Sequence, residues 1–243
     1  MELRPLRFIR NLGRMRQIVS VLLNHGFGDL VERLHLGSYL RWSRRVLFKR
    51  RGLQKPLSRA QRIRLALEEL GPTFIKFGQV ISTRPDLVPD DVLTELKQLR
   101  ENVPPFSSEV AISRVESAIG LPVSSAFASF TTEPLAAGSL AQVHRATHLN
   151  GQELAIKILR PGITAEIERD ISLMHEFAVL IERYIPEAQV FDPIGLVSHF
   201  ARAIRRELNL SREARTLEEF HRLFRHDATL KVPSVFRELS SDT

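Results

Sequence analysis

Residues 134–157 read PLAAGSLAQVHRATHLNGQELAIK. Val143, Arg145 and Thr147 lead toward Asn150-Gly151, and Glu153, Ala155 and Lys157 lead away from it, alternating with Leu154, Ile156 and Ile158. A period of two predicts half-buried strands. Asn-Gly offers the positive φ angles of a two-residue hairpin turn. Ahead of the strands, Ala136-Ala137-Gly138-Ser139 has almost no side-chain bulk, so its backbone can approach a ligand closely. A small-residue loop, a hairpin and a strand lysine form a layout that can hold nucleotide phosphates. An ordinary surface hairpin with a solvated lysine reads the same way, so the rest of the chain has to decide.

The chain of 243 residues is long enough for one large domain or two small ones, and 43% hydrophobic residues allow a sizeable core. There is no cysteine, which excludes disulfides, thiolate metal sites and thiol nucleophiles. No apolar run approaches the roughly 18 residues of a membrane span. The N-terminus does not read as a signal peptide, because arginines run through Arg16 and the apolar core is only Ile18 to Leu23, interrupted by Ser20. The net charge of +7 is uneven: residues 1–60 hold 14 basic and 3 acidic side chains, residues 61–243 hold 21 and 25. Such asymmetry points to a polyanionic partner, lipid headgroups or nucleic acid, or else to a solvated basic face.

In chain order, Met15, Ile18, Val19, Leu22 and Leu23 predict an amphipathic helix over 12–24 with a basic side. It would lie on an anionic membrane or dock on the domain behind it. Asp29 is the expected cap of a turn over Leu30 to Leu34. Residues 41–55 are dense in arginine with one Trp and one Phe, and read as an interfacial or solvated segment; nucleic acid is not the expected partner. Ser58 opens a helix, Gly71-Pro72 interrupts it, and 73–83 continue as a helix with Phe74, Phe77 and Ile81 on one face and Lys76, Gln79 and Thr83 on another. Gly78 in its middle implies close approach of another backbone. Further helices are expected from Asp90, with Leu93, Leu96 and Leu99 buried, and from Ser107 or Ser108 to Gly120. Phe127 to Thr132 reads as a strand before the small-residue loop. A long helix spans Thr164 to Tyr184. A second runs unbroken from Asp192 to about His226, placing Asn209 and Glu213 on one face and burying Leu217, Phe220 and Phe224. Pro233 to Leu239 reads as a last strand.

Several of these stretches together resemble the ABC1 family of atypical kinase-like proteins, typified by bacterial UbiB proteins and mitochondrial coenzyme Q kinase-like proteins. Lys76-Phe77-Gly78-Gln79 is similar to the family's K-x-G-Q motif, followed by its S-x-R-P-D-L-x-P run at Ser82 to Pro89. Ala136 to Ser139 with Gln142 and Val143 resembles its alanine-rich nucleotide loop. Lys157 falls at the kinase V-A-I-K position, and Glu207 and Glu213 fall in its E-x-D and R-E-A segments.

The resemblance implies an α+β fold: a helical N-terminal extension, then a protein-kinase-like N-lobe with a small antiparallel sheet and long helices, the C-lobe being absent. The expected segments are a basic amphipathic segment at 1–57, a helical extension with the K-x-G-Q motif at 58–122 and the N-lobe at 123–243. Ala136, Ala137, Gly138, Ser139, Val143 and Lys157 would bind the nucleotide, ATP or ADP with Mg2+, and Glu213 would pair with Lys157. Lys76, Gly78, Gln79, Glu207 and Asn209 would form a regulatory contact, with Lys76 meeting the E-x-D carboxylates. That motif's aspartate is Asn209 here, and Gly138 replaces the loop's third alanine. No catalytic loop, D-F-G aspartate or metal ligand is found; Glu168-Arg169-Asp170 reads as a solvated helix face. The implied function is an atypical kinase or ATPase supporting ubiquinone or isoprenoid-lipid biosynthesis, cytoplasmic and peripheral on the inner membrane. Its partners would be an adenine nucleotide, an anionic membrane surface through residues 1–55 and a lipid-biosynthesis complex. The alternative is a catalytically dead fragment or pseudokinase-like module that binds lipid or a biosynthetic complex.

Overall fold

The computed structural model describes residues 11–37, 57–99 and 103–242. Its helices are α1 (Leu12–Asn24), α2 (Gly28–Arg33), α3 (Arg59–Leu70), α4 (Pro72–Ser82), α5 (Asp90–Leu96), α6 (Ser108–Ile119), α7 (Val123–Ala126), α8 (Ile163–Tyr184), α9 (Pro193–Glu207) and α10 (Leu210–Leu223). Its strands are β1 (Phe127–Phe130), β2 (Ala136–Ala137), β3 (Ala141–His148) and β4 (Glu153–Leu159). The chain divides into two compact units, one drawn from residues 1–101 and 164–202, the other from 102–163 and 203–243. The arginine-rich stretch 41–55 lies outside the described residues.

The first unit is helical. Of the two roles open to helix 12–24, the structure gives the second: α1 buries Met15, Ile18, Val19 and Val21 and packs against α3. Asp29 does not cap α2; Phe27 stands at the N-cap, and Asp29 sits in the first turn, where a negative charge suits the helix dipole. Ser58 caps α3 in a reciprocal box with Gln61, each side chain satisfying the other's backbone N–H. Gly71, at φ +93°, turns the chain straight into α4, which starts on Pro72. Ala60, Ile75, Ile81, Val92, Leu96 and Leu99 form the core between α3, α4 and α5. Val92 takes the inward place expected of Leu93, which is half-buried. Gly78 is needed for side chains rather than for a neighbouring backbone. A Cβ there would stand 2.4 Å from Leu99 Cδ1 and 2.8 Å from Leu67 Cδ1.

Asp170 on α8 departs furthest from expectation. It is fully buried, not on a solvated face. Arg14 reaches it from α1 with two hydrogen bonds, Nε to Oδ1 at 2.8 Å and Nη2 to Oδ2 at 2.7 Å. Arg14 Nη2 also donates to the Leu70 carbonyl at the end of α3, 2.7 Å away. A carboxylate this deep is tolerable only with such pairing. The i, i+3, i+4 pattern of α8 concealed it, because Asp170 falls between Ile167, Ile171 and Met174 on the inward stripe.

The second unit is built on an antiparallel sheet in which β3 pairs with β1, β2 and β4. Four residues, Leu149 to Gln152, lie between β3 and β4, and the hydrogen bonds at their base leave a three-residue loop rather than a two-residue one. His148 N–H bonds to Gln152 O, Gly151 N–H bonds to His148 O, and Gly151 has φ +88° while Asn150 has no positive φ. That is a turn closed by a glycine bulge, which suits the right-handed twist as well as the two-residue form does. The inward face of the sheet packs on α6 and α7 through Ala111, Val115, Ala126, Phe127, Ala146 and Ile158. Ser107 caps α6, and Gly120, at φ +72°, ends it.

Two expectations for the C-terminal stretch are corrected. The helix expected from Asp192 to about His226 breaks after Glu207, and Asn209 becomes the N-cap of a new helix, its Oδ1 accepting from Arg212 N–H at 2.7 Å. An asparagine that bonds its own following backbone competes with helix continuation. α10 buries none of its residues, and Phe220, expected inside, is 48% exposed. Pro233 to Leu239 forms no strand; it is irregular, ending in a 3-10 turn at Arg237–Leu239.

Candidate functional site

Strand register builds the site. Ala136 on β2 stands opposite Val143 on β3, and Val143 stands opposite Lys157 on β4. Residues directly opposite one another share a face, so these three side chains form one row, with Ala155 two residues back from Lys157. Val143 is half-buried and Ala136, Ala155 and Lys157 are exposed, which leaves a partly apolar shelf with Lys157 at one edge and Arg145, opposite Ala155 and paired with Glu153, at another. Lys157 and Glu213, expected from the sequence to pair, meet here: Lys157 Nζ donates to Glu213 Oε2 at 2.7 Å.

Glu213 owes its place to the helix break. It lies in the first turn of α10, and its own N–H bonds to the Asn209 carbonyl at 3.2 Å. Asn209 therefore contributes a cap that positions Glu213, and an aspartate would supply the same acceptor. The Lys157 and Glu213 side chains are 38% and 45% exposed. An ion pair so open to water contributes less than about 1 kcal/mol to stability. Its lysine can exchange the carboxylate for another anion at little cost.

The small-residue stretch differs from the loop expected. Ala136 and Ala137 are strand residues of β2, and the turn proper is Ser139-Leu140, closed by Gly138 N–H donating to Ala141 O at 2.8 Å. Ser139 and Leu140 are buried. Of the quartet, Ala136, Ala137 and Gly138 offer surface to a ligand.

Two buried polar residues behind the shelf carried a sequence signal whose role was not read. Gln142 and His144 alternate with Val143 on β3 and point to the inward face, both fully buried. His144 Nδ1 lies 2.8 Å from the Thr131 carbonyl, to which it can only donate, so His144 Nε2 accepts from Gln142 Nε2 at 2.7 Å. Gln142 Oε1 in turn accepts from Phe106 N–H at 3.1 Å. The Q-V-H string thus places Val143 on the shelf between two residues that stitch β3 to its neighbours. Fully paired buried groups of this kind hold one unique geometry.

The remaining expected residues divide between the units. Lys76, Gly78 and Gln79 belong to the first, and Glu207 and Asn209 to the second. Gln79 Nε2 donates to the Leu99 carbonyl at 3.2 Å, so Gly78 and Gln79 both serve the turn at Leu99. Among the described residues no group of three His, Asp or Glu side chains is arranged to hold a metal ion.

The model of the ABC1 atypical kinase-like domain matches residues 98–243. The chain is 47% identical over 182 residues to a probable protein kinase UbiB of Marinobacter nauticus, covering 75% of this chain and 33% of that one. It is 42% identical over 226 residues to the Aeromonas salmonicida protein of the same description, covering 93% and 41%. Among solved structures, the Rv3197–erythromycin complex from Mycobacterium tuberculosis aligns with a TM-score of 0.47 and 28% identity, over 70% of this chain and 43% of that one. This chain belongs to the ABC1 atypical kinase-like family. It has an α+β fold with a small kinase-like antiparallel sheet, and it spans about a third to two fifths of the length of these UbiB relatives.

Proposed function

We propose that this chain is the nucleotide-holding part of an atypical kinase or ATPase that supports ubiquinone or isoprenoid-lipid biosynthesis at a membrane. The observation that carries the reading is the Lys157–Glu213 pair on the same sheet face as Ala136, Val143 and Ala155. The chemistry of that face fits ATP or ADP: a flat, small, partly apolar surface for a base, and a loosely held lysine for the phosphates. Among the described residues no three His, Asp or Glu side chains are grouped to hold an ion, and no step through Mg2+ is assigned to them. The role given to this chain is binding and orientation: Lys157 takes the phosphate charge, and Glu213 keeps the ammonium extended over the shelf.

The test is titration of a fluorescent ADP analogue against the wild-type chain and Lys157→Ala. We expect Lys157→Ala to bind about tenfold or more weakly, the loss of one charged hydrogen bond to phosphate. Equal affinity in the two proteins would remove the shelf as the site.

The membrane part of the reading is supported by the 14 basic and 3 acidic residues in 1–60. No helix of the described residues is long and apolar enough to cross a membrane. Because α1 already spends its apolar face inside the protein, attraction to anionic headgroups is assigned to charge, and it should weaken steeply with salt. Flotation with phosphatidylglycerol vesicles at low and high salt checks this. A cytoplasmic-face location follows from the same reading.

A further inference from the structure

A second cation braces the small-residue hairpin from behind. Arg160 N–H bonds to the Leu140 carbonyl, continuing the β3–β4 ladder by one pair. Strand alternation then puts the Arg160 side chain on the face of Gln142 and His144, opposite Lys157. From that side Arg160 Nε donates to the Gly138 carbonyl at 2.9 Å. Its Nη2 donates to Pro104 O at 3.0 Å and Val103 O at 3.3 Å. The guanidinium lies over the Phe106 ring, 5.7 Å from its centroid. Burial pushes the Arg160 guanidinium below its ordinary value. A charge held under those conditions, with its Nε and Nη2 groups donating to three backbone carbonyls, is fixing backbone in place.

We infer that Arg160 is a positioning residue for the nucleotide shelf: it locks the Gly138 peptide from the back of the sheet, and so sets the edge that phosphates meet on the front. Glycine leaves that peptide free to rotate, and a planar peptide pinned at its carbonyl oxygen has its whole plane set. Only a planar fork can reach Gly138 and the 103–104 carbonyls together; a lysine is a point donor on a flexible stem. Gln142 holds the 103–106 segment from the next register position, accepting from Phe106 N–H. The inference rests on the nucleotide reading above, and its test separates the two.

The experiment titrates a fluorescent ADP analogue against the full chain as wild type, Lys157→Ala, Arg160→Lys, Arg160→Ala and Val115→Ala. Val115 is a buried core residue of α6 and serves as a control for general loss of stability. Both Arg160 variants should bind about tenfold more weakly, the effect of losing a charge-assisted hydrogen bond. Val115→Ala should bind as wild type does. Added guanidinium should restore part of the affinity of Arg160→Ala and none of that of Lys157→Ala. If wild type binds, Lys157→Ala weakens it and both Arg160 variants match wild type, the positioning role is overturned and the shelf stands. Weakening by Val115→Ala equal to that of Arg160→Ala would also overturn it, since any loss of stability would then suffice. Absence of wild-type binding would overturn the shelf, and the positioning role with it.

Discussion

Arg14–Asp170 and Lys157–Glu213 are both ion pairs between residues far apart in sequence, and they do opposite things. In the first, a fork of two hydrogen bonds meets a fully buried carboxylate, and the same arginine ties down the end of α3. In the second, one bond joins two side chains that each keep more than a third of their surface in water. Burial decides the difference. Opening the first pair strands a charge where water cannot reach it. Opening the second returns both groups to solvent. A structural pin has to be of the first kind, and a group meant to meet a ligand has to be of the second.

The largest expected effect comes from breaking the pin on one side. Arg14→Ala leaves Asp170 buried and unpaired, which should cost about 3–5 kcal/mol. Urea denaturation of the variant and of wild type measures it. A loss below about 1 kcal/mol would mean that water reaches Asp170, and the contrast between the two pairs would disappear. The double variant Arg14→Met, Asp170→Leu sharpens the point, because removing both charges together should recover most of the loss. Lys157→Ala, by contrast, should shift stability by less than about 1 kcal/mol while it weakens nucleotide binding.

Gly78→Ala comes next. The added methyl meets Leu99 and Leu67 beside the helical core of α3, α4 and α5. Overpacking costs typically 1–3 kcal/mol, and better helix propensity returns about 1 kcal/mol, so a net loss of about 1 kcal/mol is expected in thermal or urea unfolding. A gain in stability would show that Leu67 and Leu99 move aside freely.

What the sequence revealed depended on whether the signal was local. The β3–β4 hairpin, the helix start at Ser58 and the glycine closing α6 all follow from spacing within a few residues. The family motifs added Glu213, 56 residues from its partner, which no local rule could supply. The misses concern partners distant in sequence, or competition between two local preferences. Asp170 looked solvated because nothing near it in sequence announces Arg14. Arg160 carries no local signal of its role, because its three carbonyl partners come from two other segments. The α9–α10 break went unread because apolar residues continue at helical spacing through Leu208, while the Asn209 side chain prefers to cap. The last strand failed for want of a partner: Val232 to Leu239 has suitable composition, yet it pairs with no strand of the sheet.

A third ion pair, with side chains 47% and 42% exposed, gives the smallest effect. Arg237 binds Glu218 through Nε at 2.6 Å and Nη2 at 2.5 Å, holding the C-terminal 3-10 turn against α10. The arginine beside it keeps the Glu218 carboxyl below its ordinary value of 4.5. A carboxylate whose folded value is depressed lends its stabilisation in full above the ordinary value and loses it as pH falls through the folded one. Glu218→Gln should therefore speed hydrogen exchange at the Leu239 and Ser240 amides near pH 7, whose bonds to Phe236 and Arg237 carbonyls close that turn. The excess over wild type should shrink as pH drops below 4.5, where wild type progressively loses the same charge. An excess that survives undiminished at low pH would assign the effect to side-chain shape rather than charge, and the turn would then owe its place to packing by Leu239 on the sheet core.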